Sequence, residues 1–126
     1  MFDPNNEKEV RQVIKMLVKH DLLRGAIFEK SDLSAADFWG ADLTNANLRG
    51  ADLRNANLTS AILTNADLRG AILRDAILSG ADLTDTDLTY ANLSGANLNG
   101  AYLSGADLWG ASITPKQLSQ IIIVDE

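Results

Sequence analysis

Four arginines, Arg49, Arg54, Arg69 and Arg74, and three aspartates, Asp67, Asp87 and Asp107, stand at spacings that within each set are multiples of five. Guanidinium groups brought side by side grip a carboxylate or a phosphate bidentately. Carboxylates set in a row present a line of negative charge like that of DNA phosphates. Both chemistries are binding, and catalysis has less to draw on. His20 is the only histidine. It lies beside Asp21 near the end of a predicted helix, where an imidazole serves the helix dipole better than it serves as a general base. No Ser, His and acid set assembles around it. The chain has no cysteine, which removes thiolate metal sites, disulfides and Cys nucleophiles. Its glycines follow neither the P-loop nor the dinucleotide-binding pattern. A single column of carboxylates also lacks the converging oxygens that hold calcium. The expectation is therefore no catalytic residue, no metal, no cofactor and no enzyme.

The 126 residues carry a formal charge of −6, which opposes direct nucleic-acid binding because no basic face displaces counterions from phosphates. No run of eighteen apolar residues occurs, and the first twenty residues scatter charges among their apolar positions. A single domain, no membrane span and a cytoplasmic location are the expectations.

The elements that must position these side chains are announced by a repeat. From Ala26 the chain reads AIFEK, SDLSA, ADFWG, ADLTN, ANLRG and onward in fives to ADLWG at residue 110, with ASITP after it. In these seventeen units the first position is Ala except at Ser31 and Thr86, and the third is Leu except at Phe28 and Phe38. A period of five fits neither a helix nor a simple strand alternation, and repetition of this kind points to a solenoid. If each unit is a short extended side followed by a turn, Ala and Leu, two apart, face inward and the residue between them meets solvent. The fifth position holds eight of the nine glycines together with Asn45, Asn55, Asn65, Asp75 and Asp85, residue types suited to tight corners.

The tandem A(D/N)LXX pattern over residues 26–115 resembles the pentapeptide repeat family. The resemblance implies an all-β solenoid, a right-handed quadrilateral β-helix of about four coils, each coil twenty residues long. An N-terminal α-helical cap (1–25) and a C-terminal cap or tail (116–126) flank it. The cap is expected as a helix over residues 5–23 with Asn5 or Asn6 as N-cap and Gly25 as stop, laying Val10, Val13, Ile14 and Leu17 over the first coil and meeting Phe28 and Phe38. Thr114, Pro115 and Gln117 have the spacing of a capping box with Pro at the first helical position. The closing IIIVDE either folds back over the last coil or pairs with a second molecule, so the state is a monomer or a homodimer through the tail.

In a twenty-residue coil, side chains twenty apart share a face. Arg49 and Arg69 then stand on one face and Arg54 and Arg74 on the next. They form a basic patch, or they pair with Asp52, Asp67 and Asp75. Asp67, Asp87 and Asp107 make an acidic stripe or a merely solvated face. Ile72 and Ile77 occupy outward positions on adjacent faces, as anchors for a partner or as β-branched residues suited to a strand. Trp39 and Trp109 are expected to cover the caps. These columns favour a structural or protein-interaction module with an unidentified protein partner. The family resemblance supplies an alternative, a DNA mimic binding DNA gyrase or another nucleic-acid-binding protein. A rod of roughly 20 Å would replace about twelve DNA charges, whereas residues 26–115 offer eleven acids against five bases, a net of −6.

Overall fold

The computed structural model describes residues 3–124, so residues 1, 2, 125 and 126, including the end of the IIIVDE tail, lie outside the described residues. Each pentapeptide makes one side of a four-sided β-helix. Parallel bridges join middle residues twenty apart, from Ile27 with Asn47 to Asp87 with Asp107. The backbone of one unit shows why five residues suffice. The Asn47 N–H donates to Ala26 O at 2.8 Å on the preceding coil, while the Leu48 N–H donates to Asp67 O at 2.8 Å and the Gly50 N–H to Arg69 O at 2.9 Å on the following coil. The Ala51 N–H closes the corner on Leu48 O at 3.0 Å.

That corner is a four-residue turn whose third residue has positive φ, as a type II turn requires. The fifth position obeys this throughout, from Lys30 (φ 58°) to Gly110 (φ 72°), and Ala35, Ser60 and Tyr90 adopt it as well as the glycines and Asn/Asp. The remaining N–H, at the fourth position, is where the middle residue acts. All twelve Asp and Asn at middle positions accept it: Asn47 from Arg49 at 3.1 Å, Asn57 from Thr59 at 3.1 Å, Asp87 from Thr89 at 3.0 Å, and likewise along the rod. These are Asx turns. The expectation that the middle side chain simply meets solvent is thereby corrected: it completes the hydrogen bonding of its own corner.

Inside, the leucines from Leu43 to Leu98 are fully buried and the alanines between them nearly so. Thr86, at an Ala position, turns its hydroxyl to Leu63 O at 2.9 Å, satisfying a group that burial would otherwise penalise.

The N-terminal cap is α1 (Glu7–Lys19), with Asn6 Oδ1 accepting from the Lys8 and Glu9 N–H groups. It is shorter than the expected 5–23 because the chain already turns left-handed at Asp21 (φ 55°), four residues before Gly25 (φ 68°) does so again. The Leu22 N–H reaches Leu17 O at 2.9 Å and the Asp21 N–H reaches Val18 O at 3.1 Å, the Schellman pattern with Asp at C′. His20 is the C-cap. Ile14 is buried, with Val10, Leu17 and Val18 packed on the core, and Phe28 meets buried Phe38 edge-on at 6.3 Å.

At the other end the solenoid runs past its last full pentapeptide. After Ser112, which bridges to Asn92, α2 (Pro115–Leu118) takes the third side of a fifth coil. Its capping box pairs the Gln117 N–H with Thr114 Oγ1 at 3.1 Å and the Thr114 N–H with Gln117 Oε1 at 2.9 Å. The Gln117 Nε2 donates to Ala96 O (3.0 Å), supplying the ladder donor that a helix cannot, and to Leu93 O (2.7 Å), which also accepts the corner N–H of Ala96. The tail then folds back as the fourth side, with Ile122 bridging to Tyr102. No helix among the described residues is long and apolar enough to cross a membrane.

Candidate functional site

Because the interior is filled, chemistry is confined to the outer columns. The bridges define four faces, with middle residues Ile27, Asn47, Asp67, Asp87 and Asp107 on the first, and Asp32, Asp52, Ile72, Asn92 and Ser112 on the second. Asp37, Asn57, Ile77 and Asn97 lie on the third, and Asp42, Ile62, Asp82, Tyr102 and Ile122 on the fourth.

The four arginines do not act as one patch. Arg54 clasps Asp52, its Nε 2.9 Å from Oδ1 and its Nη2 2.6 Å from Oδ2. Arg69 clasps Asp67 in the same way at 2.9 and 2.6 Å and reaches Asp87 at 3.7 Å. Among the described residues Arg74 has only Asp75, at 4.0 Å. Arg49 has no carboxylate within 4.0 Å among the described residues. The division follows from the middle residue, since the clasped arginines close Asp-Leu-Arg triplets, whereas Arg49 follows Asn47 and Arg74 follows Ile72. That signal was present in the sequence. The Arg69 hydrogen bonds hold the Asp67 carboxyl below its ordinary value against the opposing effect of burial, and Arg54 does the same for Asp52. At Asp42 the Thr44 hydroxyl, 2.6 Å away, is the main cause of a similar lowering.

Asp67, Asp87 and Asp107 do stand on successive rungs. Each also accepts the N–H two residues on; Arg69 clasps Asp67 and lies 3.7 Å from Asp87, and Asp107 has no cation within 4.0 Å among the described residues. Ile72 and Ile77 are 37% and 40% exposed on adjacent faces. Their fourth-position N–H groups, on Arg74 and Ser79, lack the Asx bond because an isoleucine has no acceptor. Among the described residues no group of three His, Cys, Asp or Glu could hold a metal ion.

The aromatic residues differ from expectation. Trp39 and Trp109 are 62% and 68% exposed, so neither is buried over a cap. Trp109 instead meets Tyr90 edge-to-face at 5.2 Å. The sequence carried a sign of this, because the residue one coil above Tyr90 is Gly110, next to Trp109.

A four-sided solenoid of this kind, with an Ala and Leu interior and chemistry only outside, is a repeat-protein scaffold. The family model for pentapeptide repeats matches in eight copies, over residues 22–50, 40–75, 51–89 and 81–114, and the chain belongs to that family. A crystal structure of a pentapeptide repeat protein from the Arabidopsis thaliana thylakoid lumen is 36% identical, with a TM-score of 0.71 over 74% of this chain and 65% of that one. HetL, a pentapeptide repeat protein involved in heterocyst differentiation regulation from Nostoc sp. strain PCC 7120, is 35% identical over 71% of this chain and 54% of its own, with a TM-score of 0.37. Another pentapeptide repeat protein from Nostoc PCC 7120 is 28% identical over 90% and 94% of the two chains, with a TM-score of 0.47. The chain thus spans less than two thirds of the length of the first two. Among curated proteins, none matches it in sequence.

Proposed function

We propose that this protein is a non-enzymatic interaction module that presents β-helix faces to a protein partner. The observation that carries the reading is the division of labour within each pentapeptide. Ala and Leu fill the interior, and in the twelve Asp/Asn units the middle residue completes the corner, leaving the fourth side chain free to vary at little cost to the fold while positive φ restricts the fifth. Arg49 and Arg74 are such variations on two faces, Ile72 and Ile77 stand in place of the Asx-forming middle residue on two, and Arg54 and Arg69 are tied to aspartates. Mimicry of DNA is less well supported, because the arginines interrupt the acidic column and the net charge is half of what a DNA segment of equal length carries. The tail's pairing with its own coil supports a monomer over a homodimer through the tail. We also propose a cytoplasmic location, tested by cell fractionation.

The experiment is affinity capture from the native lysate with the wild type, an Arg49, Arg54, Arg69 and Arg74→Glu variant, and an Ile72, Ile77→Asp variant of matched stability. A protein retained by the wild type and lost by one variant supports the reading. Retention of gyrase, with loss of supercoiling activity at micromolar protein, would replace it with mimicry, and capture of nothing would overturn it.

A further inference from the structure

We propose that the corner beside the first face, built by Arg49, Arg69, Tyr90 and Trp109, docks an extended acidic peptide segment of a protein partner. A carboxylate of the segment sits on Arg49, and an aliphatic or proline residue about four positions along lies against the aromatic pair. The inference rests on the interaction-module reading and gives it a place and a ligand chemistry.

The fourth and fifth positions of this face run Glu29, Arg49, Arg69, Thr89, Trp109 and Lys30, Gly50, Gly70, Tyr90, Gly110. Arg49, Arg69, Gly70, Thr89 and Tyr90 line one shallow groove. A β-carbon at Gly70 would meet nothing within 4 Å, so the floor between the cations and the ring is open. The cations lie toward one end of the groove and the aromatics toward the other.

Tyr90 is the feature that calls for an account. It takes the left-handed conformation that every corner of the rod requires, φ 60°, and it is the one aromatic residue among the fifth positions, where bulky residues are disfavoured. It gains little burial in return, being 64% exposed. Its ring is nevertheless held: Trp109 packs against it edge-on, and it lies over Gly110, where a β-carbon would fall 2.8 Å from the ring. The chain therefore positions two large aromatic surfaces in solvent. Tyr, Trp and Arg are the residues in which binding energy concentrates at interfaces.

Charge selects the occupant. Arg49 and Lys30 have no ion-pair partner among the described residues, on a chain whose net charge is −6. A carboxylate of the segment is attracted to Arg49 and repelled by Asp87 and Asp107 toward the aromatic end of the same face, which fixes its register. Arg49 and Trp109 are three rungs apart, roughly 14 Å at the inter-strand spacing, and an extended peptide covers that in about four residues.

The two tryptophans make the test internally controlled. The ¹⁵N-labelled protein is titrated with the acetylated heptapeptide Glu-Glu-Ser-Gly-Leu-Pro-Leu, with its Lys-Lys analogue, and with oligothymidine, following both indole N–H signals and the arginine Nε–H signals. The expected result is saturable shifts of the Trp109 indole and Arg49 with the acidic peptide alone, with Trp39 unmoved. Arg49→Glu and Trp109→Ala should each weaken binding by about tenfold or more, and Arg74→Glu should leave it unchanged. All three side chains are exposed, and the amide spectrum of each variant verifies its fold. No shift at millimolar peptide, or equal shifts with the Lys-Lys analogue, overturns the inference. Saturable shifts confined to Ile72, Ile77 or Arg74 overturn this site while leaving the module reading intact. Shifts of Trp109 with oligothymidine in place of the peptide overturn both.

Discussion

Replacing Leu68 by Ala should be far more damaging than the same change at Leu108, and the structure says by how much. Leu68 is fully buried in the middle of the rod, between Leu48 and Leu88 of the coils below and above. Removing its outer carbons forfeits about 2 kcal/mol of transfer free energy at roughly 0.8 kcal/mol per methylene. The walls resist collapse into the vacated space, because the Leu68 N–H is bonded to Asp87 O at 2.8 Å and the Asp67 N–H to Ala46 O at 2.9 Å, tying that side to both neighbours. If about 40 Å³ stays open, the cavity adds roughly 1 kcal/mol, for a total of about 3 to 4 kcal/mol. Leu108 lies on the first side of the fifth coil, partly covered and with no coil beyond it. Leu108→Ala loses part of the transfer free energy and encloses no cavity, about 1 to 1.5 kcal/mol. Urea denaturation followed by far-UV circular dichroism, with m-values compared to confirm that the transition is unchanged, measures both. Equal losses at the two sites, or a loss under about 1 kcal/mol at Leu68, would refute the picture of a rigid ladder around a filled axis.

Other perturbations probe the corners and the charges. Asn57→Ala removes the acceptor for both the N–H (3.1 Å) and the hydroxyl (2.6 Å) of Thr59 and should cost about 1 to 2 kcal/mol in the same assay. Asp21→Gly should stabilise α1 by about 0.5 to 1 kcal/mol, visible as a higher midpoint, because it relieves a left-handed non-glycine residue and removes an acid from a helix C-terminus. Asp42, Asp52 and Asp67 have carboxyl groups held below the ordinary 3.8. Their contribution is full above that value and is lost as pH falls through the lowered folded values. An Asp52, Asp67→Asn variant should therefore show a shallower loss of stability on acidification below about pH 4 than the wild type, by a small amount because both arginines are about half exposed.

The fold was legible because two residue types at fixed positions carry it: Leu at the axis and Ala at the wall tolerate few substitutes, and the corner selects Gly, Asn and Asp. The role of the middle Asp and Asn was legible in principle, since both are Asx-turn formers, but reading the alternation as inward versus outward assigned them to solvent. Arginine pairing was equally available in the Asp-Leu-Arg triplets at 52–54 and 67–69. The end of α1 was not, because a left-handed Asp21 has no sequence mark as clear as the glycine four residues later. Tyr90 stands out as the one aromatic residue at a fifth position, but its pairing emerges only when Trp109 and Gly110 are stacked one coil above.

The most direct test of the central claim, that faces of this rod carry function by binding a protein, is calorimetry with the captured partner once purified. The wild type is compared with the first-face variant Arg49→Glu, the second-face variant Arg74→Glu and the third-face variant Ile77→Asp. The account predicts that one variant raises Kd by about tenfold or more while the others stay within about twofold. Equal affinity for all three variants and the wild type would contradict it.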